Sequence, residues 1–171
     1  MKILYTAFFL TIFSWGELFL WKNGLLFPFT AFFLFYVTGA LGWKTALGCG
    51  LFAGCALDFV SGNELPAALV LMTGSIAFSC FWLYRVRSDS ILLHILPGGG
   101  IVLFAWIWSL LEYGSGFWKW GAVYPIALLV LDLFLGMIFL PLLVLVLDTL
   151  NESLGLPLYS NAKLHLRERN G

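Results

Sequence analysis

The chain of 171 residues is 61% hydrophobic and only 11% charged, and its mean hydropathy of +0.97 is far above that of a soluble domain, which excludes a water-soluble protein. Nine basic and nine acidic residues cancel, so no basic excess points to nucleic acid as a partner. A spanning helix takes about 20 apolar residues, so this length holds six or seven spans with short loops and no added soluble domain.

Apolar runs between polar or glycine-containing breaks predict six transmembrane helices in one bundle: Ile3–Trp21, Leu25–Leu41, Thr45–Val60, Pro66–Tyr84, Ile91–Leu111 and Ala122–Leu147. The first run follows Met1-Lys2 as a signal peptide would. No small-residue cleavage site appears before Trp15 and Glu17, so the run is read as a span. Short breaks such as Lys22-Asn23-Gly24 and Gly42-Trp43-Lys44 make neighbouring helices antiparallel. The bundle is assigned to residues 1–150 and a cytoplasmic tail to 151–171.

Glu17, in the first span, is a carboxylate with apolar flanks that either faces the bundle or reaches an interface. The third span is the shortest. About 15 residues at 1.5 Å each fall short of a hydrocarbon core of roughly 30 Å, and a re-entrant segment is the alternative. The six-span topology with both termini inside places Lys2, Lys44, Arg85, Arg87, Lys163, Arg167 and Arg169 in the cytoplasm and leaves only Lys22 and Lys119 outside. A re-entrant third segment splits the same charges less well. Trp21, Trp43, Tyr84, Tyr113, Trp118 and Trp120 fall at span ends, where interfacial anchors belong.

Ala46, Gly50, Gly54 and Asp58 recur at fourth positions along the third span, a ridge of small residues ending in a carboxylate. Such ridges let helix backbones approach closely, and the GxxxG match at Gly50–Gly54 is read first as bundle packing. Asp58 lies just before the turn at Ser61-Gly62, where it locks the turn or contacts a partner. In the fifth span His94 precedes Pro97-Gly98-Gly99-Gly100, which predicts a kink. Asp132 is the apolar-flanked acid of the sixth span. Cys49, Cys55 and Cys80 show no metal-ligand spacing and read as small packing residues. His94 and His165, the only histidines, lie in different segments, and neither a catalytic triad motif nor a phosphate loop is present. The expectation is a non-enzyme with no cofactor, metal or catalytic residue.

The segment Gly50-Leu51-Phe52-Ala53-Gly54-Cys55-Ala56-Leu57-Asp58-Phe59-Val60-Ser61-Gly62 resembles the third-span signature of the MreD rod-shape-determining proteins, roughly Gly-Leu-Leu-x-Asp-Leu-x-Ser-Gly. Chain length, the basic Arg85/Arg87 turn and the long last span fit the same pattern. Asn63-Glu64-Leu65-Pro66 and the Pro97 glycine run depart from it. The resemblance implies a multi-pass scaffold of the bacterial inner membrane, acting in cell elongation and peptidoglycan synthesis. It implies binding to MreC through transmembrane helices near MreB, RodA and a penicillin-binding transpeptidase, with homo-oligomers left open. MreD proteins are similar in fold to the S-components of energy-coupling-factor vitamin transporters, so a substrate-binding S-component is the rival reading. Those carry an Ala-xxx-Ala surface on the first span, where Ile3 to Thr11 is read here as bulky.

Overall fold

A computed structural model describes residues 2–23, 25–62, 65–85, 95–113, 123–156 and 159. The described chain is all-helical, with six helices: α1 (Lys2–Lys22), α2 (Phe29–Leu41), α3 (Trp43–Ser61), α4 (Ala67–Arg85), α5 (Ile95–Tyr113) and α6 (Val123–Ser153). Three of them, α1, α4 and α6, are long and apolar enough to cross a membrane. Arg87, His94, Trp118, Lys119, Trp120, Lys163, His165, Arg167 and Arg169 lie outside the described residues.

Successive helices run antiparallel, as contacts along each pair show. Gly16 lies beside Phe29 and the Phe13 and Phe9 rings pack on Phe33, so α2 descends along α1. Gly54 meets Leu69 and Gly50 meets Ile76 across α3 and α4. Gly98 meets Gly136 across α5 and α6, and Trp106 bonds Asp132. The C-terminal ends of α1, α3 and α5 therefore share one end of the bundle with the N-terminal ends of α2, α4 and α6. The N-terminal starts of α1 and α3 share the other end with the C-terminal finish of α6.

The short helix is α2, not α3. Expected from Leu25, it starts at Phe29 because Pro28 disfavours helical backbone at Phe27 and stands as its N-cap. Its 13 residues are apolar on every side, the pattern of a helix with no free face, and every side chain from Thr30 to Ala40 is buried. It touches all five other helices, and Phe27, Phe29 and Phe32 pack around Phe139 of α6. By contrast α3 has 19 residues, about 28 Å at 1.5 Å per residue, which removes the length argument for re-entry.

Helix α6 continues through Asn151-Glu152-Ser153 to a left-handed Gly155 at φ 62°, and Asn151 is part of the packed helix. Pro97 lies within α5 as described, and the kink expected at His94 and Pro97 falls partly outside the described residues. The following glycines serve packing: a Cβ at Gly98 would meet the carbonyl of Gly136, one at Gly99 would meet Met137, and one at Gly100 would meet Phe78 of α4. Among the described residues Pro141 stands in the interior of α6.

Large apolar side chains cover the outside. Phe59 is 88% exposed, and Phe8, Phe52, Phe81, Ile107 and Phe134 are also exposed. Soluble proteins rarely present so much contiguous apolar surface. The coat is compatible with a hydrocarbon surround, and Trp43 and Tyr84 stand exposed at helix ends, where membrane interfaces hold such rings.

Candidate functional site

The carboxylate of Asp58 accepts hydrogen bonds from the backbone amides of Ala68 (2.8 Å) and Leu69 (3.0 Å), one on each oxygen. These are the second and third residues of α4, whose first amides have no partner within the helix. Asp58 thus caps α4 from α3, and its negative charge also suits the positive end of the helix dipole. The Asp58 carbonyl accepts from the amide of Gly62, which takes φ 67° to close α3. The spacing Asp58, Ser61, Gly62 is therefore a double helix-end device: an acid one turn before a glycine that needs left-handed backbone. Ser61 is exposed, and nothing in the structure explains its identity.

The small ridge leads into this cap. Ala46, Gly50 and Gly54 are buried. A Cβ at Gly54 would stand 2.6 Å from Leu69 Cα, and one at Gly50 would stand 2.6 Å from Ile76 Cδ1. The GxxxG pair faces α4 within the chain. Of the cysteines, Cys49 and Cys80 are half-buried and pack against the core, while Cys55 is exposed on the outer face of α3.

Glu17 repeats the arrangement in the first hairpin. It is 1% exposed and accepts from the amide of Thr30, the second residue of α2, at 2.8 Å. The Thr30 hydroxyl reaches Ser14 at 3.4 Å. In the third hairpin Asp132, 2% exposed, accepts from the indole N–H of Trp106 at 3.0 Å. Glu17 and Asp132 face the bundle, and each of the three acids bonds its own hairpin partner in the same half of the molecule. Holding a carboxylate in an apolar interior costs several kcal/mol unless hydrogen bonds compensate, and these bonds supply that role.

At the opposite end lies a polar cluster that the sequence did not reveal. Tyr36 of α2 donates its hydroxyl hydrogen to Asp148 Oδ1 at 2.8 Å and accepts from Asn151 Nδ2 at 2.8 Å. The Tyr159 amide also donates to Asp148 Oδ1, at 2.8 Å. The Tyr159 ring is buried, stacks on Tyr36 and Phe35 at 5.9 and 6.0 Å, and fills the space over Gly39. Burial, and secondarily the Asp148 charge, push the Tyr159 phenol above its ordinary range. Asp148 and Asn151 sit one turn apart on α6, the one local signal of a shared polar face.

A groove of about 790 Å³ opens between α1 and α3. Ala7, Thr11, Ser14 and Leu18 form one wall, Gly48, Phe52, Ala56 and Val60 the other, and Ala40 and Leu41 of α2 close one end of the floor. The first span thus carries a small-residue face that the bulky reading of Ile3 to Thr11 overlooked. From Ile3 to Leu18 the groove follows α1 for about 22 Å. Among the described residues no group of three histidine, cysteine or acidic side chains is placed to hold a metal. Comparison with protein-family models, curated proteins and solved structures finds no match.

Proposed function

We propose that this chain is a six-span, MreD-like scaffold of the bacterial inner membrane with both termini cytoplasmic, and that it organises cell-elongation proteins without catalysing a reaction. The observation that carries the reading is the α1/α3 groove. It is long, apolar and edged with small residues, the features by which membrane helices pack closely on one another. Its occupant in this reading is the transmembrane helix of MreC, with MreB, RodA and a penicillin-binding transpeptidase assembled nearby. The double helix-end device at Asp58 and Gly62 supports the resemblance, because it gives the acid and the glycine of the Asp-x-x-Ser-Gly pattern a physical reason.

The S-component reading keeps one observation in its favour, since the groove volume lies in the range of roughly 300–1,000 Å³ typical of small-ligand pockets and hydroxyls of Thr11 and Ser14 line it. Co-purification separates the two. A scaffold retains MreC in mild detergent, and its depletion rounds rod-shaped cells. Failure of both, together with thermal stabilisation by a vitamin, would replace the scaffold with the transporter subunit.

A further inference from the structure

The two helices that wall the large groove each open with a lysine, Lys2 in α1 and Lys44 in α3, and both start at the same end of the bundle. Their only carboxylates, Glu17 and Asp58, stand towards the other end and are engaged by amides of α2 and α4. One mouth of the groove is therefore cationic. Lys44 stands one helical turn before Gly48, and Gly48, Phe52 and Ala56 continue that face of α3 along the groove wall. The Lys44 ammonium lies 5.8 Å from the centre of the exposed Trp43 ring, an aromatic of the kind that sits at headgroup level.

Behind this mouth the groove is apolar. The hydroxyls of Thr11 and Thr45 donate to the carbonyls of Ala7 and Leu41 on or beside their own helices, so these donor hydrogens are committed within the chain, which favours an alkyl chain over a polar small molecule. Phe52 stands exposed on the wall, which leaves the groove open to its surround. The length of about 22 Å along α1 exceeds half of a hydrocarbon core roughly 30 Å thick, the depth of one leaflet. We infer that the groove holds one acyl chain of an anionic phospholipid, with the phosphate at the Lys44 mouth. A partner helix entering the groove displaces the chain, and the lipid site stands whichever protein that partner is.

Native mass spectrometry tests this on the full-length protein, released from detergent after incubation with equal amounts of phosphatidylglycerol and phosphatidylcholine carrying the same acyl chains. The expected result is one phosphatidylglycerol retained per chain in preference to phosphatidylcholine. Lys44→Gln should lower that preference about fivefold, the effect of one basic residue at a headgroup. Gly48→Leu, whose first added carbon meets nothing within 4 Å, and Ala56→Trp should both abolish retention while the melting temperature stays near that of the parent; if one of them unfolds, the other decides. Equal retention of the two lipids overturns the inference, as does a preference that survives Lys44→Gln or a lipid that survives filling of the groove. MreC is absent from the assay, so its outcome is separate from that of the scaffold reading.

Discussion

Asp58 holds two helix ends at once, through its carboxylate on α4 and its carbonyl on Gly62 of α3. Because its two oxygens each accept from a different amide, asparagine replaces half of the cap and alanine none. Asp58→Ala should cost about 2 kcal/mol and Asp58→Asn about half of that, read as successive drops in melting temperature in detergent. Equal losses in the two variants would show that the charge, not the pair of bonds, matters. Tyr159 gives a second prediction, this one in pH. Its phenol is held above the usual value by burial and by Asp148, so the folded state binds the proton more tightly than the unfolded chain. The stabilisation is complete below the ordinary tyrosine value of about 10 and is lost as pH rises through the higher folded one. Alkaline titration followed by tyrosinate absorbance should show one fewer late-ionising tyrosine in Tyr159→Phe than in the parent. An unchanged curve would mean that the ring is not docked.

Between helices the contacts are set by what is missing from the side chains. Gly54→Ala puts a carbon 2.6 Å from the Leu69 backbone, which no rotamer change relieves, so α3 and α4 must separate at a cost of about 1–3 kcal/mol. A Cβ at Gly48, on the same helix, would meet nothing within 4 Å, and Gly48→Ala should be neutral or stabilise by up to about 1 kcal/mol through helix propensity. Chemical unfolding of the pair side by side checks this, and similar losses would contradict the assigned faces. The ridge was legible in the sequence because its fourth-position spacing is local and helical. The packing role of Gly98, Gly99 and Gly100 was not, since glycines that soften a helix and glycines that admit a neighbour look alike until Gly136 is seen opposite. Distance hid the polar partners as well: Glu17 and Asp132 stand out as acids in apolar runs, but nothing near them in the chain marks Thr30 or Trp106. Asp148 and Tyr36 meet across 112 positions. Helix α2 was misjudged in length for a simpler reason, because an apolar run continues through Leu25-Leu26-Phe27 while Pro28 ends the helical backbone.

For the molecule as a whole, the α1/α3 groove is a large opening in a bundle whose α3/α4 and α5/α6 pairs close tightly on glycines. Helices α3, α4, α5 and α6 interlock at Gly50, Gly54, Gly98 and Gly136, whereas α1 rests mainly on α2 and leaves its Ala7, Thr11 and Ser14 face open towards α3. A partner helix seated there buries its own apolar face against these small residues, and a bulky residue placed among them removes the seat without touching the core. If the proposed scaffold reading holds, Ala7→Trp and Ala56→Trp should weaken retention of MreC at least tenfold, about 1.4 kcal/mol, while the melting temperature stays near that of the parent. Phe134→Trp, on the outer face of α6, serves as the control and should leave retention unchanged. If the groove variants and the control behave alike, the partner binds elsewhere on the apolar coat. If the groove variants unfold, the two walls are packed against each other in the membrane, and the opening is not a seat for any helix.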